Sequence, residues 1–191
     1  MGVVAVLSAI VALARPQLVH RETIVESEGI DIVLAFDVSG SMETEDFRLG
    51  AQRVSRFQAA RAVIQRFVED RPDDRIALIV FGEEAFTQVP LTTDRDAVKN
   101  FLSQVELGMA GERATAIGDA IAISAKRMKE LDAPSRLVIL LTDGRQNAGQ
   151  IQPLQAAQLA QSLGIRLYTI GVGSAEDSRG GGFFGLFGGP S

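Results

Sequence analysis

Asp37, Ser39 and Ser41 fall within the stretch Asp37-Val38-Ser39-Gly40-Ser41, directly after the apolar run Ile32-Val33-Leu34-Ala35-Phe36. A carboxylate and two hydroxyls are hard oxygen donors, suited to a cation such as Mg2+ that prefers oxygen and keeps several waters. The same residues also suit a polar turn in which Asp37 and Ser39 satisfy their own backbone. A second carboxylate, Asp143, follows another wholly apolar run, Leu137-Val138-Ile139-Leu140-Leu141, within Thr142-Asp143-Gly144. The choice between turn and metal site rests on whether the fold brings these two carboxylates together.

The intervening pattern says that it does. Ile32–Phe36, Ile76–Phe81 and Leu137–Leu141 read as buried strands, Ile165–Val172 as the last recognisable strand, and Ala85–Val89 as a short hairpin strand after Gly82-Glu83-Glu84. Between them lie amphipathic helices. Arg53 to Asp70 carries Phe57, Ala60, Ile64, Phe67 and Val68 on one face. Thr93-Asp94 caps a helix with Ala97, Val98, Phe101, Leu102 and Val105. A third helix, Ala116 to Leu131, follows the loop Gly108 to Gly111, and Pro153 and Gly164 delimit a fourth. Continuous apolar strands alternating with such helices predict an α/β fold, a mostly parallel sheet flanked by helices on both faces. Ligands of these sheets collect beyond the carboxyl ends of the strands, where Asp37 and Asp143 both stand.

Composition narrows the function. At 191 residues, with 46% hydrophobic and 23% charged residues, the chain can bury a proper core as one globular domain. A net charge of -5 gives no basic footprint, so no nucleic-acid partner is expected. The absence of cysteine removes disulfides, thiolate chemistry and Cys-ligated zinc. The single histidine, His20, lies outside any catalytic setting, which speaks against a Ser-His-Asp triad.

The ends differ from the middle. Residues 1–14 contain the uncharged run Gly2 to Ala14, which as a helix covers about 20 Å, short of a hydrocarbon core of roughly 30 Å. No positive residue precedes it as in a signal peptide, so we read it as the end of a truncated transmembrane helix. Residues 15–29 read as a linker or edge strand, and residues 30–173 as the folded domain. Residues 174–191 form a glycine-rich tail containing Phe183-Phe184-Gly185-Leu186-Phe187.

Asp37-x-Ser39-x-Ser41, then Thr115, then Thr142-Asp143-Gly144 resemble the metal-ion-dependent adhesion site of von Willebrand factor A domains, over roughly Gly29 to Gly173. The resemblance implies a Rossmann-like sheet. It implies that Ser39 and Ser41 ligate the metal directly, that Thr115 does so in the ligand-competent state, and that Asp37 and Asp143 bind directly or through water. Mg2+ is the implied ion, with Mn2+ or Ca2+ as substitutes, and a protein partner's Asp or Glu carboxylate fills its open position. No catalytic residue is implied.

A closer resemblance is to membrane-anchored bacterial members, the Bat-type aerotolerance proteins. It is carried by Ala14-Arg15-Pro16-Gln17, Asp37-Val38-Ser39-Gly40-Ser41-Met42, Thr115-Ala116-Ile117-Gly118-Asp119-Ala120, Asn147-Ala148-Gly149 and Tyr168-Thr169-Ile170-Gly171-Val172-Gly173. Those proteins imply an inner-membrane location through the N-terminal segment, with the periplasmic side favoured. They also imply other von Willebrand factor A proteins and a MoxR-type AAA+ ATPase as partners. By the same comparison the domain here is expected to lack its last strand and helix.

Several charged positions have plainer readings. Thr115 also suits a helix cap, and Asp119 suits a loop-holding or capping group. The arginines Arg53, Arg56, Arg61 and Arg66 read as a solvated helix face, and Glu45 and Asp46 follow the motif without a rank. The rival function is a Mg2+-dependent phosphohydrolase using Asp37. That chemistry wants an acid where the chain has Ser39, and another near Gln146 and Asn147.

Overall fold

The computed structural model describes residues 29–49, 52–129 and 135–173. Residues 1–14, nearly all of the 15–29 segment and the 174–191 tail, including its phenylalanine cluster, lie outside the described residues. Among the described residues no helix is long and apolar enough to cross a membrane.

Strand β1 (Asp31–Asp37) is buried along its whole length at the centre of a sheet. On one side it pairs in parallel with β4 (Arg75–Phe81), on the other with β6 (Arg136–Thr142). Antiparallel β5 (Ala85–Thr92) and parallel β7 (Arg166–Gly171) complete the order β5-β4-β1-β6-β7. Strand β5 runs past Pro90, which an edge strand tolerates where, as here, the pairing register shifts between Val89 and Thr92. At the other edge β7 leaves Tyr168 47% exposed. There an apolar recess of about 180 Å³ opens, lined in part by Ile64, Phe67, Ile139, Tyr168 and Ile170.

Helices cover both faces, as the alternating pattern requires. The even residues of β1 (Ile32, Leu34, Phe36) pack against α1 (Arg56–Glu69) and α2 (Arg95–Ser103) through Phe57, Ile64, Val68, Val98 and Leu102. Phe36 and Phe57 stack with centroids 5.1 Å apart. The odd residues Val33 and Ala35 meet α3 (Ile117–Lys129) and α4 (Pro153–Ser162). Small residues on that side (Ala35, Ala77, Ala120, Ala125, Ala156, Ala160) let helix and sheet approach closely.

Two expectations need correction. The first helix starts at Arg56, not Arg53, because Gln52–Val54 forms strand β3 of a hairpin with β2 (Phe47–Leu49). Its start is fixed by a capping box: Ser55 Oγ accepts from Gln58 N at 3.2 Å while Ser55 N donates to Gln58 Oε1 at 3.1 Å. The arginines are also not one solvated face. Arg66 is exposed beside Asp70, but the Arg61 guanidinium lies 4.4 Å from the Phe57 ring centroid and donates to Val105 O. Burial lowers the Arg61 pKa, and Arg56 is drawn into the functional crest.

Candidate metal centre

The chain leaves β1 toward α1 on one face and leaves β6 toward α4 on the other, so a crevice opens between the carboxyl ends of these adjacent strands. Asp37 ends β1, and Thr142 ends β6 with Asp143 next. The local backbone serves this crevice. After β1 a short 3-10 turn, Gly40–Glu43, buries Met42 fully and leaves Ser41 at the surface. Gly40 N donates to Glu112 O at 2.9 Å, and a Cβ on Gly40 would sit 2.9 Å from that same oxygen. Glycine is therefore required where the serine loop passes the 112 loop.

The structure brings all five expected donors together. Ser39 Oγ lies 3.1 Å from Ser41 Oγ, and Thr115 Oγ1 donates to Ser39 Oγ at 3.3 Å. Ser41 Oγ donates to Asp143 Oδ1 at 2.7 Å. Asp37 Oδ1 accepts from Ser39 N at 2.9 Å, and its Oδ2 accepts from Thr142 Oγ1 at 2.5 Å. The Thr115 hydroxyl thus faces the serines, while its backbone is pinned by Asn147, whose Oδ1 accepts from Thr115 N at 2.6 Å.

Electrostatics set the site apart from an ordinary turn. Asp37 is fully buried, and burial pushes its carboxyl above the usual carboxylate range. Hydrogen bonds from Ser39 and Thr142 oppose that shift, and the nearby Asp143 carboxylate adds to it. The Asp143 side chain is also fully buried. Its Oδ2 accepts from Arg56 Nη1 at 2.9 Å, and the same guanidinium grips Asp46 through Nε and Nη2, the shortest contact being 2.7 Å. Hydrogen bonding to Asp46 first, and to Asp143, keeps Arg56 firmly protonated. Three carboxyl groups (Asp37, Asp143, Asp46) thus gather around one guanidinium, an acidic excess in this contact set.

A divalent cation fits that balance and that donor set. Three hydroxyl oxygens and two carboxylates from separate segments face one another, the chemistry Mg2+ or Mn2+ prefers. No cluster of three or more His, Cys, Asp or Glu side chains suited to a metal occurs among the described residues. A centre here is therefore rich in hydroxyls rather than acids.

The neighbouring polar residues brace the loops. Asp119 accepts from Gln150 N and Ile151 N at 3.0 and 2.9 Å. Gln146 accepts from Gly118 N and donates to Ile151 O, so neither Gln146 nor Asn147 is free to serve as an acid/base substitute. Glu83 accepts from Arg113 N. The sequence reading missed the roles of Arg56 and Asp46. The usable signal was the Ser55-x-x-Gln58 capping box, which starts α1 at the crest and places Arg56 in its first turn.

The fold and the crevice define a domain of a known class. The profile of the von Willebrand factor type A domain matches residues 31–179, and the chain belongs to that family. Within it, the chain is 34% identical to an uncharacterized protein of Borreliella burgdorferi over 87% of its own length and 47% of the relative's, so it spans about half of that protein. Among solved structures it resembles an aerotolerance-related membrane protein of Bacteroides fragilis (31% identity, TM-score 0.66, 76% of this chain and 68% of that one). It also resembles BatB of Bacteroides thetaiotaomicron (30% identity, TM-score 0.64, 75% and 66%). A more distant likeness is a mussel byssus thread matrix protein with a zinc-occupied adhesion motif (27% identity, TM-score 0.59, 78% and 37%).

Proposed function

We propose that this domain is a metal-dependent protein-binding module of a Bat-like bacterial membrane protein, coordinating a partner's Asp or Glu carboxylate through Mg2+. The observation that carries this reading is the convergence of Ser39, Ser41 and Thr115 hydroxyls with buried Asp37 and Asp143 in a crevice where carboxyl groups outnumber the one guanidinium. Ser39, Ser41 and Thr115 would hold the ion, while Asp37 and Asp143 orient those hydroxyls and balance its charge. Few anionic donors then reach the ion, so it keeps the electrophilicity that draws a carboxylate.

Catalysis is not part of the proposal. Ser39 stands where a phosphohydrolase would carry its second acid, and Gln146 and Asn147 are committed to backbone contacts. The likeness to proteins described as membrane or aerotolerance-related supports a membrane setting. The inner membrane with the domain on the periplasmic side is our proposal. Other von Willebrand factor A proteins and a MoxR-type ATPase are the partners to try first.

The test is capture of these candidates on the immobilised domain in Mg2+ against chelator, with Ser39→Ala as control. Retention that needs both Mg2+ and Ser39 supports the reading. Equal retention under all conditions contradicts it.

A further inference from the structure

Arg56 touches the crevice without being an oxygen donor. Its Nη1 donates to Asp143 Oδ2 at 2.9 Å, while the opposite oxygen, Oδ1, accepts from Ser41 at 2.7 Å. The Asp143 carboxylate is thus fixed from both sides, one facing the serine loop and one facing away. The remaining edge of the guanidinium is taken by Asp46, with Nε at 3.1 and 3.0 Å and Nη2 at 2.7 Å from its carboxylate oxygens. The Arg56 and Asp46 side chains are only 14% and 18% exposed, so solvent screens these charges weakly. Arg56 N also donates to Thr44 O at 3.0 Å, which anchors the first turn of α1 to the loop following Ser41.

We propose that Arg56 is a positioning residue for the metal centre and that the Asp46–Arg56 pair sets its divalent-cation affinity by holding Asp143 and fixing the net charge of the crevice. The inference rests on the metal-binding reading above. A fixed cation beside Asp143 repels an incoming divalent ion and occupies one of that carboxylate's oxygens. Asp46 offsets the repulsion, since its carboxylate faces the same guanidinium. Replacing Arg56 by a neutral donor removes one positive charge from the contact set, and neutralising Asp46 removes one negative charge. The two substitutions break the same contact yet move the charge in opposite directions. A merely structural pair would loosen Asp143 in both cases and weaken the ion in both. Asp46 directly precedes β2, so this pair also ties the β2–β3 hairpin to the metal centre.

The experiment is Mn2+ titration, read by the electron paramagnetic resonance signal of the free ion, on wild type, Arg56→Gln, Arg56→Lys and Asp46→Asn. Metal-free melting is run alongside. Arg56→Gln, which keeps an N–H donor, is expected to bind Mn2+ about fivefold or more tighter at low ionic strength. Asp46→Asn is expected to bind it weaker by a similar factor, and Arg56→Lys to stay near wild type. If Arg56→Gln does not fold, the contrast between Arg56→Lys, near wild type, and the weakened Asp46→Asn decides, and equal affinity in the two overturns the inference. Wild-type binding together with weakening in both Arg56→Gln and Asp46→Asn, or with no change in either, overturns this inference alone. A wild type that binds no Mn2+ overturns the metal reading and this inference with it.

Discussion

Ser41 and Asp143, 102 positions apart in the chain, meet through a 2.7 Å hydrogen bond from the serine hydroxyl to Oδ1. That contact closes the crevice between β1 and β6 and joins the serine loop to the acidic loop. Whatever occupies the site must be compatible with both segments at once, which makes each donor separable by mutation from the fold beneath it.

The first prediction follows from that separation. Ser39→Ala and Thr115→Ala remove hydroxyls whose contacts are to the other donors of the crevice. Metal-free melting of both variants is expected to stay within about 1 kcal/mol of wild type. The stabilisation of wild type by Mg2+, about 2.7 kcal/mol at a hundredfold excess over Kd, is expected to be lost in both. Thermal melts with Mg2+ and with chelator check this.

Gly118→Ala addresses the second loop. A Cβ there would lie 1.8 Å from Ile151 O, which accepts from Gln146 Nε2, while the N–H of the same residue donates to Asp119. Helix α3 would have to back away from the loop after β6, at a cost of about 2 kcal/mol or more. Chemical denaturation measures it. An unchanged midpoint would mean that the helix is not tightly seated there.

Asp119→Ala should separate bracing from binding. Its carboxylate accepts from Gln150 N and Ile151 N, and losing those contacts is expected to cost about 1–2 kcal/mol. The variant is expected still to respond to Mg2+, because the Asp119 carboxylate is committed to the Gln150 and Ile151 backbone. Loss of the Mg2+ response at full stability would instead place Asp119 in the metal centre.

At the opposite end of β1, Asp31 is 1% exposed and receives Arg75 through Nε at 2.6 Å and Nη2 at 2.7 Å. Arg75→Ala leaves a buried carboxylate without this partner. Because Arg75 itself is 42% exposed, the loss is expected near the low end for such pairs, about 2–3 kcal/mol. The far end of the strand predicts unchanged Mn2+ affinity in whatever fraction folds, measured by titration below the melting transition.

Much of the fold was legible because its signals are local. The unbroken apolar runs of β1, β4 and β6 required a sheet covered on both faces, and strand-end Asp37 and Asp143 then had to share one crest. Pro153 and Gly164, with φ +70° at the latter, marked the last helix within two residues of its ends. The β2–β3 hairpin was not legible, because Phe47–Leu49 and Gln52–Val54 are too short to show an alternating period. Without the hairpin, the apolar period alone starts helix α1 at Arg53 and leaves Arg56 among the solvated cations. Its pairing with Asp46 and Asp143 joins residues 10 and 87 positions away, which no local pattern encodes.

The most direct test of the central claim is calorimetric titration of Mg2+ and Mn2+ into the folded domain, with Asp37→Ala and Ser39→Ala beside wild type. Saturable binding to a single site in wild type, absent from both folded variants, is the predicted result. No binding in wild type, or equal binding in all three, would contradict a metal centre at the β1–β6 crevice.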